Sequence, residues 1–183
     1  ATVLRQAIRD HRNILVIGGT GSGKTTLVNA LICEMVGQNP SERFVTIEDT
    51  AELQCSAANQ VQYYTSATTT LTDLVKGTLR MRPDRILVGE VRDGAALDLL
   101  DVWNTGHEGG VATLHANNAK AGLTRLRSLI SRNKAAPVEI EPLIAEAVHV
   151  VVHIARTPDK GRRVQEILAI DGYANGAYLI TNL

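Results

Sequence analysis

The residues with the clearest chemical potential form a glycine-rich run near the start of the chain. Residues 18–25 read Gly-Gly-Thr-Gly-Ser-Gly-Lys-Thr, which fits the pattern G-x-x-x-x-G-K-S/T completely. Glycines let main-chain N–H groups approach a phosphate, and a helix that follows presents its positive end to the anion. We therefore predict that the run binds the phosphates of a nucleoside triphosphate, the alternative being a turn that merely joins a strand to a helix. The predicted nucleotide-binding residues are Gly18, Gly19, Thr20, Gly21, Ser22, Gly23, Lys24, Thr25 and Thr26.

Two side chains of this run have separate predicted tasks. The ammonium group of Lys24 can reach the β- and γ-phosphates, and the hydroxyl of Thr25 can bind Mg²⁺. Both tasks need the run to lie between a strand and a helix, which is the context that supports the motif.

Carboxylates follow two apolar runs. Glu90 ends the run Ile-Leu-Val-Gly-Glu, where the second acid of a phosphate-loop site belongs, and we predict that it positions and activates water or orders the water around Mg²⁺. Glu48 and Asp49 end another run, with Glu52 close by. Glu48 is predicted to reach the metal through water, whereas a solvated strand end or a helix cap is the simpler alternative. Ligands in open α/β sheets sit outside the carboxyl ends of the strands, so these acids should share one rim with the glycine-rich run.

One histidine falls on the same expected rim. His115 ends the apolar run that begins at Val111, and it could hydrogen-bond the γ-phosphate; a capping or metal-binding histidine is the alternative. His149 and His153 lie four residues apart in a β-branched segment, where they would be roughly 13 Å apart along a strand. We interpret that pair as structural.

Arginines cluster around the Glu90 segment. Arg80, Arg82 and Arg85 precede it and Arg92 follows it. An arginine in a phosphate-loop site can stabilise charge in the transition state. For Arg82 and Arg85 we favour surface ion pairs with Asp84 and Asp93, which usually contribute little to stability.

The elements that must position these residues alternate in the manner of an α/β protein. Short Val- and Ile-rich runs alternate with segments of helical period, which indicates a mainly parallel sheet between helices and a β-rich C-terminal tail with antiparallel strands at one edge. The predicted strands are 13–17, 43–48, 60–64, 85–90, 111–115, 148–154, 164–170 and 177–180. The predicted helices are 25–36, 71–81, 95–104, 119–131 and a short one after Pro142, with a further helix opening at Ala1.

Length and composition narrow the class of protein. The 183 residues are 44% hydrophobic and 21% charged, as expected for one globular domain, with 19 basic and 19 acidic residues. The balanced charge gives no basic field for direct nucleic-acid binding. No apolar run suits a membrane span or an export signal, and Cys33 and Cys55 are expected to be free thiols in a reducing cytosol. Because a helix opens at Ala1, we predict that an N-terminal part is missing.

The motifs together resemble a known family. The ordered set comprises residues 18–25, 46–53, 79–84, 86–93 and 106–117, and it is similar to the secretion traffic ATPases of type II and type IV secretion and of type IV pili. Their signature elements are a Walker A loop, an Asp box, a Gly-Glu Walker B and a His box. The run Leu-Arg-Met-Arg-Pro-Asp-Arg-Ile most resembles the conjugative type IV branch.

This resemblance implies roles, partners and a location. It assigns Glu48 to the Asp box, makes Glu90 the catalytic acid, places His115 in the His box with His107 at its start, and puts Arg80 and Arg92 near the site. It implies ATP and Mg²⁺ as ligands, ADP as product, a RecA-like fold and a homo-hexameric ring at the cytoplasmic face of the bacterial inner membrane. Other secretion and conjugation proteins would be its partners. Residues 1–183 would be a single C-terminal ATPase domain without the family's N-terminal domain.

Three other functions remain open at this point. A RecA-like DNA translocase would be stimulated by bare DNA, which the neutral charge disfavours. A GTPase switch would need an Asn-Lys-x-Asp motif, which the sequence lacks. A nucleotide-gated assembly module would bind ATP without hydrolysing it. No adenine-reading residue is evident, so the choice of ATP over GTP comes from the resemblance.

Overall fold

The strands at the centre of the fold are the short apolar runs that the sequence indicates. The computed structural model describes residues 1–183. The strands are β1 Ile14–Ile17, β2 Phe44–Glu48, β3 Gln60–Tyr64, β4 Arg85–Val88, β5 Val111–Leu114, β6 Val150–Thr157, β7 Gly161–Ala174 and β8 Ala177–Asn182. The helices are α1 Thr2–Arg9, α2 Lys24–Gln38, α3 Leu71–Thr78, α4 Ala95–Trp103, α5 Ala119–Ile130 and α6 Ile140–Ala147, with a 3₁₀ turn at Leu79–Met81.

All eight strands form one sheet in the order β3-β2-β4-β5-β1-β6-β7-β8. The pairs from β3 to β6 are parallel, and β6, β7 and β8 are joined by antiparallel pairs. The prediction of a mainly parallel sheet with an antiparallel C-terminal part is therefore confirmed. No helix of the chain combines the length and the apolar character that crossing a membrane requires.

The central strands lack a polar face because helices cover both sides of the sheet. In β1, Leu15 and Ile17 point into one apolar cluster, whereas Ile14 and Val16 point into a second cluster on the opposite face. A strand that is buried on both faces has no reason to alternate between apolar and polar residues. The rigid centre of the sheet thus holds the ends of its strands in fixed relative positions.

Several boundaries differ from the sequence prediction. Helix α6 begins at Ile140 and contains Pro142 in its first turn, where no helical N–H bond is needed, so the prediction of a helix only after this proline is wrong. Strand β4 ends at Val88, which leaves Glu90 in the following loop. Strand β7 begins at Gly161 rather than three residues later.

The prediction of a surface ion pair for Arg85 is wrong. Its side chain is fully buried and its Nε donates to Glu42 Oε2 at 2.5 Å. The guanidinium also donates to the carbonyl oxygens of Ile8 and Gly109, which ties α1 and the loop before β5 to the start of β4. Arg82 is exposed and forms no ion pair, so the pairing expected for it is absent as well.

Candidate active site

A polar cleft lies where four adjacent parallel strands end. Strands β2, β4, β5 and β1 are neighbours in the sheet, and the segments that follow them carry the acids, the histidine and the glycine-rich run. The cleft has a volume of about 380 Å³. Its lining residues are Thr20, Gly21, Lys24, Thr25, Glu48, Asp49, Thr50, Glu52, Leu53, Gly89, Glu90, Arg92, Thr113 and His115.

The glycine-rich run forms a tight loop between β1 and α2. Gly21 and Gly23 have φ angles of 68° and 100°, a region that favours glycine. A Cβ atom on Gly18 would collide with the carbonyl oxygen of Ile154 and with the side chain of Ser22. Helix α2 begins at Lys24, so its N-terminal amides and positive dipole end face the cleft. The loop therefore has the geometry of an anion cradle.

Lys24 folds back across the top of this loop. Its Nζ lies 3.1 Å from the carbonyl oxygens of Gly18 and Gly19, and 3.2 Å from Nε2 of His115. Burial lowers the pKa of Lys24, and the charges of Glu90 and Glu52 partly oppose that effect. Two neutral carbonyl oxygens thus hold the ammonium group, and a phosphate would readily replace them because it carries full negative charge.

The loop after β2 is held by one carboxylate and carries another. Glu48 is 4% exposed, and its Oε1 accepts hydrogen bonds from the main-chain N–H groups of Glu52 at 3.0 Å and Leu53 at 2.9 Å. Its Oε2 is buried without a hydrogen-bond partner. In this geometry Glu48 positions the loop, and only its second oxygen is free for a water or a ligand.

Glu52 is the site residue that sequence reasoning underrated. Its Oε2 accepts a 2.8 Å hydrogen bond from the Thr25 hydroxyl, the group predicted to bind Mg²⁺. The signal that could have found it is its position four residues after Glu48, in a loop that must fold back toward the strand end. In the sequence, Glu52 stands out only as a neighbour of Glu48 and Asp49.

Charged groups on three segments meet around Glu90. Nη2 of Arg92 lies 2.8 Å from Glu90 Oε2, and Nη1 of Arg92 lies 3.2 Å from Asp49 Oδ2. Nε2 of His115 lies 3.3 Å from Glu90 Oε1. The hydrogen bond and the charge of Glu90 raise the pKa of Arg92. The structure therefore brings Glu90, His115, Arg92 and Asp49 together.

Two residues from the predicted set lie elsewhere. Arg80 sits in the 3₁₀ turn before β4, is exposed, and forms neither a hydrogen bond nor an ion pair. The cleft lies beyond the other end of β4, and Arg80 is not part of its lining. His107 is also outside the lining, and its Nδ1 is buried without a partner. His149 accepts a hydrogen bond from the Asn13 main chain, which fits its interpretation as structural.

The oxygen atoms of the cleft could bind Mg²⁺ when a phosphate supplies further ligands. Thr25, Glu52, Glu48 and Glu90 present hard oxygen atoms, which Mg²⁺ prefers. No group of three or more His, Cys, Asp or Glu side chains is arranged to hold a metal by itself. Mg²⁺ usually binds through one or two protein oxygens, waters and substrate phosphates, so this donor set fits a metal that arrives with a nucleotide.

The sequence is similar to a defined family and to named relatives. It matches the family model described as "Type II/IV secretion system protein" over residues 1–174. It is 52% identical over 178 residues to "Conjugal transfer protein TrbB" of Rhizobium radiobacter, covering 97% of this chain and 54% of that protein. It is 39% identical over 183 residues to "Type IV secretion system protein PtlH" of Bordetella pertussis, covering 92% of this chain and 53% of that protein.

The fold is similar to that of a solved secretion protein. The crystal structure of the VirB11 ATPase from the Brucella suis type IV secretion system, in complex with sulphate, superposes with a TM-score of 0.86 at 35% sequence identity. The match covers 92% of this chain and 51% of that one. The chain spans about half the length of the relatives that it matches.

Proposed function

This chain belongs to the type II/IV secretion system protein family, and we propose that it is the domain of a conjugative type IV secretion ATPase that binds and hydrolyses ATP. One observation carries the proposal. Lys24 and Thr25 at the phosphate loop after β1 line the same cleft as Glu90 after β4, and β5 lies between these two parallel strands. The proposal is supported because a loop suited to phosphate, a hydroxyl that can ligate a metal and a carboxylate line one cleft.

The chemistry that this arrangement suits is phosphoryl transfer to water. Such a reaction depends mainly on positioning and on the neutralisation of charge. The amides of residues 21–25 and the ammonium of Lys24 would hold the phosphates. The Thr25 hydroxyl and the Glu52 carboxylate would lie next to the metal. When bound, Mg²⁺ would neutralise charge on the β- and γ-phosphate oxygens. Glu90 would orient the attacking water, and His115 would contact the γ-phosphate from the end of β5.

Arg92 has a distinct part in this proposal. Its guanidinium forms ion pairs with both Glu90 and Asp49, and it links the two segments that carry them. A triphosphate would offer this guanidinium a more strongly charged partner, because charge-assisted bonds to phosphate can be bidentate. Release of Glu90 from Arg92 would then leave the carboxylate free for water.

The assembly around this domain is also part of the proposal. Residues 1–183 would form a single RecA-like C-terminal ATPase domain of a longer protein, acting as a homo-hexamer with other secretion and conjugation proteins at the cytoplasmic face of the inner membrane. The family and its named relatives support this setting. Arg80, which is exposed and outside its own cleft, is placed so that it could serve a neighbouring subunit rather than its own.

A second function is favoured by one observation. Both oxygens of Glu90 already have partners, with Oε1 near His115 and Oε2 bound by Arg92. A carboxylate that remains engaged in this way would not activate water. The domain would then bind ATP and gate assembly without turnover.

The two functions are separated by measuring binding and hydrolysis on the same samples. Titration calorimetry should show saturable binding of Mg-ATP, and phosphate release should follow. Lys24→Ala should lose both, whereas Lys120→Ala, an exposed lysine outside the cleft, should lose neither. Glu90→Gln should bind Mg-ATP and release phosphate at least about 100-fold more slowly than the unmodified chain.

Each outcome has one meaning. Binding with no phosphate release by the unmodified chain favours the gating function. If Glu90→Gln hydrolyses ATP at the normal rate, then Glu90 is not catalytic. If the folded, unmodified chain binds no Mg-ATP, the proposed function is refuted.

A further inference from the structure

The hairpin formed by β6 and β7 lies against the outer side of the phosphate loop. Nε of Arg162 donates a 3.0 Å hydrogen bond to the carbonyl oxygen of Gly21. The Cδ atom of Arg162 lies 2.9 Å from the position that a Cβ on Gly23 would occupy. The carbonyl oxygen of Ile154 in β6 lies within contact distance of the position that a Cβ on Gly18 would occupy. An arginine from the far end of the chain thus rests directly on the loop.

The register of the hairpin places a second arginine beside the first. Arg156 is paired with Arg162 across the antiparallel strands, and Ile154 is paired with Val164. Residues paired directly across two strands point to the same face, so both guanidinium groups lie on the side of the hairpin that carries Ile154 and meets the loop. Neither arginine forms an ion pair, and like charges in directly opposed positions are destabilising. This face therefore carries two positive charges, and neither forms an ion pair with a carboxylate.

A second polar groove opens between this face and the loop. It has a volume of about 270 Å³, and its lining contains no apolar residue. The groove is lined by residues 21–26, by Glu52 and by Arg162. It shares Gly21, Lys24, Thr25 and Glu52 with the cleft described above, so the two spaces adjoin at the loop.

The position of the groove defines which part of a nucleotide it can receive. In the proposed function the terminal phosphate points into the cleft toward Glu90 and His115. The chain of phosphates then follows the loop amides and the start of α2, and its other end must leave the loop on the side away from Glu90. The groove beside Arg162 runs along residues 21–26 and is lined by neither Glu90 nor His115, so the guanidinium would lie where the α-phosphate joins the nucleoside.

We propose that Arg162 is a nucleotide-binding residue whose guanidinium exchanges the Gly21 carbonyl for the α-phosphate of the bound nucleotide, with Arg156 adding positive charge beside it. This inference rests on the proposed function, because it takes the direction of the phosphates from it. A carbonyl accepts one bond from Nε, whereas a phosphate offers charged oxygens that match the planar fork of a guanidinium. The exchange also relieves the repulsion between the two arginines.

The test compares Arg162→Gln and Arg162→Lys with Arg163→Gln. Arg163 is the adjacent exposed arginine, it contacts only the carbonyl of Lys160, and its removal changes the net charge equally. Dissociation constants are measured by calorimetry for Mg-ATP, Mg-GTP and magnesium tripolyphosphate, which has three phosphates and no nucleoside. Urea unfolding of each variant confirms that the fold is retained.

We expect Arg162→Gln to weaken all three ligands by a similar factor of about 10- to 100-fold. Arg162→Lys should lose less affinity, because it keeps the positive charge although it lacks the planar guanidinium. The dissociation constants of Arg163→Gln should lie within about twofold of those of the unmodified chain. Unchanged binding by Arg162→Gln overturns the inference. So does a loss that is confined to the two nucleotides, because that result assigns Arg162 to the base. If the unmodified chain binds none of the three ligands, the proposed function itself fails.

Discussion

The hydroxyl of Thr25, in the first turn of α2, donates a 2.8 Å hydrogen bond to the carboxylate of Glu52 in the loop after β2. The loop that carries Glu52 is held in turn by Glu48, through two main-chain amides. The hydroxyl that we propose as a metal ligand and a carboxylate therefore lie together on one side of the cleft. With Mg²⁺ and a nucleotide bound, the Thr25 hydroxyl would ligate the metal, and Glu52 would accept a hydrogen bond from water instead.

Glu52→Gln should separate binding from hydrolysis. The amide keeps the shape of the side chain but removes the charge that can orient water or a hydrated metal. We expect the rate of phosphate release to fall at least about 100-fold, with the dissociation constant for Mg-ATP changed by less than about tenfold. Glu139→Gln, at an exposed position before α6, is the matched control. A rate within twofold of the unmodified chain would show that Glu52 has no part in turnover.

As the pH is raised, nucleotide affinity should begin to fall at a lower pH than the ordinary pKa of lysine would suggest. Burial lowers the pKa of Lys24 in the free protein, whereas a bound phosphate would raise it by favouring the charged form. Between these two pKa values, binding requires uptake of a proton. The affinity should therefore decrease up to tenfold for each pH unit, beginning below the usual lysine pKa of about 10.4.

Calorimetry with Mg-ATP from pH 7.5 upward, in buffers with different heats of ionisation, measures this proton uptake. Lys24→Arg is the control, because its guanidinium stays charged in this pH range. The affinity that this variant retains should not change with pH. A pH profile of the unmodified chain that is equally flat would contradict the prediction.

Two neighbouring glycines of the phosphate loop should differ sharply in their tolerance of alanine. The Cβ of Gly18→Ala would collide with the main chain of β6 at Ile154, whereas that of Gly19→Ala would meet no atom within 4 Å. We expect Gly18→Ala to reduce the free energy of unfolding by about 1–3 kcal/mol, as overpacking does, and Gly19→Ala to change it by less than about 0.5 kcal/mol. Urea unfolding of both variants tests the contrast, and equal stability would refute it.

Removal of the buried Arg85 guanidinium should destabilise the fold strongly. Arg85→Met leaves Glu42 without its main partner in a site where the arginine is fully buried. We expect the free energy of unfolding to fall by about 3–5 kcal/mol, and to recover in part when Glu42 is also replaced by Met. Arg80→Met, which removes an exposed arginine without an ion pair, should change it by less than about 0.5 kcal/mol. Urea unfolding measures all three, and a loss below 1 kcal/mol for Arg85→Met would contradict the prediction.

The amino-acid sequence alone was sufficient for the class of fold and for the rim of the site. The run at residues 18–25 has a local pattern with one well-known geometry, and Glu90 and His115 each follow a short apolar run. Parallel strands in a doubly covered sheet end at one edge, so acids and histidines that follow such runs must converge. Each of these inferences needs only local pattern and one general rule of topology.

Only the tertiary structure decided which side chains meet. The sequence around Arg85 suggests an exposed, charged side chain, yet the structure buries it. Its partners Glu42, Ile8 and Gly109 come from other segments of the chain. The contact of Thr25 with Glu52 spans 27 residues and that of Arg162 with Gly21 spans 141. Such contacts depend on the order of the strands and on the register of the β6–β7 hairpin, and these are set by the packing of the whole sheet rather than by any local run of residues.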